Sequence, residues 1–305
     1  MSVKSFTKIQ QEAISYVKNK EYAEALNLLE KAKSTFPEKL DRLGHWSANI
    51  YCLQGKQQEA IAELRGVLDG GMWWNPELLD SDPELSPLKD SEEFEQILEK
   101  CRGRYVEEKG AAAASLQVEG DPKSSTSIFA IHWKGSNAKE FAAQWSDPRL
   151  LKNYLLGFPQ SSQLFSYNSY SWDDAAIAKA DITDTFRQFM TTYNGRDKNN
   201  ILAGASQGGR LAMELGIQGF RGFIALVPAI EHVNFADDFQ PGPGVRGCVI
   251  TGDQDPFYEA TLDAIERLKA RGVPCKLIVR EGMGHTLPGD FAELVQDAVD
   301  FILGK

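Results

Sequence analysis

Cysteine is scarce and scattered. The four in 305 residues, Cys52, Cys101, Cys248 and Cys275, form no C-x-x-C, so neither a disulfide framework nor a cysteine zinc site is expected. They read as reduced, mostly buried thiols of a cytoplasmic protein. Long apolar runs are also missing: no stretch approaches 18 uncharged apolar residues, which predicts no membrane span. Met1-Ser2-Val3-Lys4-Ser5-Phe6 leads into Gln10, Gln11 and Glu12 without the apolar core of a secretory leader, so a soluble, non-exported chain is expected. Positive charge is in deficit, with 33 Lys and Arg against 43 Asp and Glu and a net charge of -10. That is a poor match to a phosphate backbone, so nucleic acid is not an expected partner. The acidic excess is spread over both halves, as a solubility charge is, and does not form a tail.

What is present is globular. Hydrophobic residues at 42% and charged residues at 25% are ordinary proportions, and the length exceeds what one compact core usually holds. Residues 1–104 read as all-helical with an internal repeat: Ala13, Tyr16, Ala25, Leu29 and Ala32 recur as Ala48, Tyr51, Ala60, Leu64 and Val67. Small residues at fixed positions let two helices approach, while Tyr and Leu fill the space between them, so each unit is an antiparallel helix pair. The turns Asn19-Lys20-Glu21-Tyr22-Ala23-Glu24-Ala25 and Gln54-Gly55-Lys56-Gln57-Gln58-Glu59-Ala60, with Pro37 closing a helix, resemble tetratricopeptide repeats. Glu12 and Ser47 depart from that pattern, which has large apolar residues there. A third, atypical unit runs from Trp73-Trp74-Asn75-Pro76 to Phe94, Ile97 and Leu98. Residues 1–104 as a whole are expected to offer a surface to a protein partner, the alternative being a bundle that only packs on its neighbour. Met72, Trp73 and Trp74 are the third unit's apolar candidates for exposure.

Residues 105–121 have the composition of a linker, although Ala114–Val118 also suits a first strand. From residue 122 onward the periodicity changes. Ile128–Ile131, Ile201–Gly204, Gly222–Val227, Gly247–Thr251 and Cys275–Val279 are short and apolar enough to be strands buried on both faces. Helical patterns lie between them, over Ala138–Trp145, Asp173–Tyr193, Gly209–Gly216, Tyr258–Arg271 and Asp290–Leu303. This alternation predicts a doubly wound, mostly parallel sheet, with reactive residues at the carboxyl ends of the strands.

Asn200-Ile201-Leu202-Ala203 runs into Gly204-Ala205-Ser206-Gln207-Gly208-Gly209 and then into a helix, which is G-x-S-x-G in its strand-turn-helix setting. Ser206 would sit on a tight, strained turn that exposes its hydroxyl. A serine needs a base, and in this setting the chain order is Ser, then acid, then His. His45 lies in the repeats, and His132 and His232 come too early, which leaves His285 in the loop Glu281-Gly282-Met283-Gly284-His285. For the acid, Asp253 and Asp255 compete within Gly252-Asp253-Gln254-Asp255-Pro256. Pro256 favours Asp255 by holding it extended, whereas Asp253 suits a turn or a cap.

With Gly204–Gly209, Gly252–Pro256, Gly284-His285 and Tyr170-Ser171-Trp172-Asp173-Asp174, residues 122–305 resemble an α/β-hydrolase of the phospholipase/carboxylesterase and dienelactone hydrolase kind. The resemblance implies an α/β-hydrolase fold, an ester or thioester cleaved through an acyl-enzyme, a small-molecule ester as substrate, and no metal or organic cofactor. It also implies an oxyanion hole of two backbone N–H groups. One is from Gln207; the other, from the loop His132-Trp133-Lys134-Gly135-Ser136-Asn137, would be that of Lys134. Trp133 departs from the family's small residue and either fills part of the pocket or packs on the strand layer, in which case another amide serves. Trp133 and Trp172 are the candidate pocket residues. His132 is expected to order its loop, and His232 to lie at the surface or rim. Two rival readings remain open: an inactive scaffold that binds a partner through its repeats, and an acyl-peptidase using the same residues.

Overall fold

The computed structural model describes residues 6–193, 197–230 and 240–305, and the chain divides into two compact units, Met1–Ala111 and Ala112–Lys305. His232 lies outside the described residues.

In the first unit the repeat read from the sequence is a repeat of backbone geometry. Helices α1 (Phe6–Lys18) and α2 (Tyr22–Thr35) are followed by α3 (Leu40–Leu53) and α4 (Gln57–Asp69). The two interhelical turns close in the same way. Glu21 N–H donates to Tyr16 O and Lys56 N–H to Tyr51 O, across Lys20 and Gly55, both at positive φ. This left-handed closure satisfies orphan carbonyls at each helix end. The small positions Ala25, Ala48 and Ala60 are fully buried, as are Leu29 and Leu64. Two further helices, α5 (Pro76–Ser81) and α6 (Glu92–Lys109), start at side-chain caps: Asn75 accepts from Glu77 N–H and Ser91 from Phe94 N–H. Each cap satisfies an orphan donor of the first turn. Trp73 and Trp74 are buried, contrary to the exposure expected of them. Their indole N–H groups donate to Glu108 Oε1 and to Asp41 O within the same unit, so the rings serve as packing with their polar tips satisfied.

The second unit starts before residue 122, because Ser115–Gly120 is strand β1. The strands that follow are β2 (Thr126–Ile131), β3 (Leu155–Gln160), the short pair β4 (Gln163–Ser166) and β5 (Ser169–Ser171), β6 (Asn199–Ala205), β7 (Gly222–Leu226), β8 (Arg246–Gly252) and β9 (Cys275–Arg280). Its helices are α7 (Ala138–Gln144), α8 (Pro148–Asn153), α9 (Ala175–Thr192), α10 (Gln207–Leu215), α11 (Tyr258–Ala270) and α12 (Phe291–Leu303). Among the described residues seven strands form one sheet in the order β1-β3-β2-β6-β7-β8-β9, parallel throughout except for β1 on β3.

Alternation along each strand splits the core in two. Ile128, Ala130, Ile201 and Ala203 face a layer built with Phe141, Trp145 and Val295, while Phe129, Ile131 and Leu202 face one built with Ile182, Phe189 and Leu268. Helices therefore cover both faces, as a parallel sheet requires. The carboxyl ends of β2, β6, β7, β8 and β9 then lie along one edge, where their loops meet. No helix among the described residues is long and apolar enough to cross a membrane.

Candidate active site

Ser206 stands between β6 and α10 at φ 55°, ψ -117°, a conformation that a residue with a Cβ enters only under constraint. The constraint is visible. Its N–H donates to Leu226 O and its carbonyl accepts from Ala229 N–H, so both sides of the turn are tied to the end of β7. The chain there is itself unusual, since Val227 is β-branched and has φ 38°. Close approach does the rest: a Cβ on Gly208 would meet the carbonyl oxygens of Ile131 and His132, so the first turn of α10 lies directly against the chain leaving β2.

Ser206 Oγ is 2.8 Å from His285 Nε2, and His285 Nδ1 is 2.8 Å from Asp255 Oδ2. The acid is enclosed, with a side-chain exposure of 1%, and its other oxygen accepts from Phe257 N–H; the imidazole keeps 29% exposure toward solvent. Phe257 also sets its ring edge-on to His285, with centroids 5.4 Å apart. The rival acid, Asp253, points elsewhere and accepts from Gly282 N–H at 2.7 Å, tying its own turn to the histidine loop. A Cβ on Gly252 would collide with the Met283 carbonyl, so the acid-bearing and histidine-bearing loops touch backbone to backbone.

The loop after β2 is held from several sides. Gly135 N–H donates to Tyr170 O, Tyr170 N–H to Ser136 O, and Asn137 Nδ2 to Asn168 O, which stitches the loop onto the β4–β5 hairpin. His132 is completely buried. Burial pushes its pKa down to about 4, so it is the neutral ring that bonds Trp133 O through Nδ1 and accepts from Ser161 N–H through Nε2.

Two expectations for this region change. Trp172 is no pocket residue: it is fully buried in the core, its indole N–H donating to His132 O. The helix expected from Asp173 begins at Ala175, because Asp174 caps it by accepting from Ala176 and Ile177 N–H. Trp133 is half-buried and packs toward Phe141, with centroids 6.3 Å apart, on the strand-layer side.

Freed from the helix, Asp173 joins a polar cluster that sequence reasoning missed. Its Oδ1 accepts from Gln207 Nε2 at 2.7 Å, and both its oxygens accept from Lys134 Nζ at 3.0 Å. Burial pulls the Asp173 carboxyl upward, but hydrogen bonds from Gln207, Lys134 and Ser171 outweigh it and hold the pKa below the ordinary carboxylate value. As the first residue of α10, Gln207 has a main-chain N–H with no intrahelical acceptor, and its side-chain Oε1 accepts from Trp172 N–H. The only sequence signal for this cluster was the Trp172-Asp173-Asp174 stretch itself, which does not say which acid caps and which is left over.

Residues 5–109 match the family model described as A/B hydrolase-like, N-terminal domain. No curated protein matches the sequence significantly. Among solved structures, an uncharacterized protein from Bacillus cereus ATCC 10987 is similar over 98% of this chain and 99% of its own, at 24% identity and a TM-score of 0.51. Esterase PE8 is similar over 62% of this chain and 99% of its own, at 18% identity and a TM-score of 0.51. These likenesses bear on the fold, and with the strand order and the serine turn they show an α/β-hydrolase fold over residues 112–305, following a helical N-terminal unit.

Proposed function

We propose that the protein is a serine hydrolase that cleaves a carboxylic ester or thioester through an acyl-enzyme. The observation that carries this reading is the unbroken chain of hydrogen bonds from Ser206 Oγ through His285 to Asp255. Neutral His285 takes the Ser206 proton through Nε2 as Oγ adds to the substrate carbonyl. Asp255 holds the Nδ1–H tautomer and steadies the imidazolium that results. The carbonyl oxygen becomes an oxyanion, bound by the backbone N–H groups of Gln207 and Lys134. Collapse expels the alcohol or thiol, which takes the proton from His285. Water, deprotonated by the same ring, then adds to the acyl-enzyme and releases the acid and free Ser206.

Support for an ester over an amide comes from the fold likeness to esterase PE8. The helical domain is the surface proposed for a protein partner, and the chemistry requires no cofactor.

A fluorophosphonate should label Ser206 stoichiometrically. Ser206→Ala, which removes one oxygen from a turn held by backbone bonds, should lose both labelling and about 10⁴-fold or more of kcat on short-chain esters with an unchanged circular dichroism spectrum. A folded Ser206→Ala protein with unreduced kcat would overturn the assignment. A panel of esters graded by acyl length, with matched amides, defines the substrate class.

A further inference from the structure

The two groups assigned to the oxyanion lie on separate pieces of chain. Gln207 opens α10, whereas Lys134 belongs to the loop after β2, which is stitched to the β4–β5 hairpin. A hole made of two such pieces binds an oxyanion well only if their separation is fixed before the charge develops, since preorganisation is what makes such donors effective.

We propose that Asp173 is the positioning residue that fixes it: a single carboxylate fastened at once to the side chains of Gln207 and Lys134. This rests on the reading of Gln207 and Lys134 as oxyanion donors.

The Gln207 side chain is held at both ends, accepting from Trp172 N–H and donating to Asp173, so its amide reads two consecutive residues of the segment that leaves the hairpin. Trp172 in turn donates its indole N–H to His132 O, at the root of the Lys134 loop. Asp173 therefore closes a ring from α10 to the hairpin, to the loop and back. The division of strength within the ring follows from exposure. The side chains of Lys134 and Asp173 are 42% and 49% exposed, so that ion pair is weak by itself. The bond to Gln207 is the shorter, and it acts on the residue read here as an oxyanion donor. Asp173 touches neither Ser206 nor His285 among the described contacts, so its effect is expected on the transition state through Gln207, not on the proton relay.

The test uses the full-length protein, with active sites counted by fluorophosphonate titration so that misfolded molecules drop out of the rate. Asp173→Ala should lower kcat per titrated site about tenfold with KM within about twofold, because a displaced donor forfeits part of the 10²- to 10³-fold that a deleted one costs. It should weaken inhibition by a trifluoromethyl ketone, whose serine adduct carries the oxyanion, by the same factor. Asp173→Asn, which keeps an acceptor for Gln207, should recover most of both losses. Asp184→Ala, which breaks an exposed ion pair with Arg187, controls for removal of a surface carboxylate. Wild-type kcat per site in Asp173→Ala, a loss confined to KM, or an equal loss in Asp184→Ala would overturn the proposal while leaving the hydrolase reading intact. A wild-type protein that neither labels at Ser206 nor turns over esters would overturn both.

Discussion

A glycine in each unit marks how differently the two are built. In the helical unit a Cβ on Gly44 would meet the Cγ2 of Val67, the end of a side chain. In the α/β unit a Cβ on Gly208 would meet carbonyl oxygens of Ile131 and His132. One contact can relax by turning a side chain; the other requires the backbone to move. Polar groups divide in the same way. His45 pairs with Asp82 at 2.7 Å, and Asn49 donates to Asp82 and Glu84, bonds that hold helical-unit residues to one another. In the α/β unit the chain of bonds ends on a hydroxyl set on a strained turn. The helical unit is packed side chain against side chain, and the candidate site is packed main chain against main chain. A site built the second way loses function to changes of a single atom.

The largest effect that would sharpen this contrast falls on the acid. Asp255→Asn keeps the size of the side chain but leaves His285 Nδ1 facing an amide, and the imidazole loses the partner that selects its tautomer. A fall in kcat of about 10⁴-fold is expected. Asp253→Asn retains an acceptor for Gly282 N–H and should cost less than about tenfold, since one neutral hydrogen bond replaces a charge-assisted one. Steady-state kinetics of both variants on one ester decide the ranking, and the reverse order would transfer the role to Asp253.

Next in size is the glycine comparison. Gly208→Ala should destabilise the protein by about 3 kcal/mol or more, because overpacking against backbone cannot be relieved by a rotamer change. For Gly44→Ala the gain in helix propensity, up to about 1 kcal/mol, partly offsets the cost of moving Val67, so a net loss of about 1 kcal/mol is expected. Urea denaturation of the two variants measures the difference. Equal losses would break the contrast between the two packing modes.

Much of this was legible in the sequence wherever a residue type leaves the chain little choice. G-x-S-x-G between a strand and a helix announces the turn because glycine alone fits beneath it, and Pro256 was the reason for preferring Asp255 to Asp253 as the acid. The short apolar run was enough for β2, β6, β7, β8 and β9. It failed for β3, whose Leu-Leu-Gly-Phe-Pro-Gln carries both residues that argue against a strand. Gly157 is there because a Cβ would strike Phe129 and Phe189, and Pro159 is tolerated because pairing with β2 has already ended at Gly157. Trp172 was misjudged for a related reason: an aromatic beside a motif looks like a pocket wall, and burial by neighbours distant in sequence decides otherwise. Asp173 and Asp174 could not be separated at all. Which one caps depends on where the helix begins, and a boundary of one or two residues is beyond what periodicity resolves.

The smallest effect is expected from removing the helical unit altogether. Every residue given a chemical part, Ser206, Asp255, His285, Gln207, Lys134 and Asp173, lies in residues 112–305. Both apolar layers that hold the sheet are made of residues from that span alone. The helical unit has its own buried core, including Leu29, Leu43 and Ile50, and its tryptophans spend their N–H groups within it. Residues 112–305 expressed alone should therefore fold and hydrolyse a small soluble ester with kcat/KM within about tenfold of the full chain, as an independently cored domain would. Because the ester is small, the comparison isolates chemistry from recognition of a larger substrate or a partner. A soluble, folded fragment whose kcat/KM falls far more than tenfold would erase the division of labour, since the helical unit would then be part of what makes the site work.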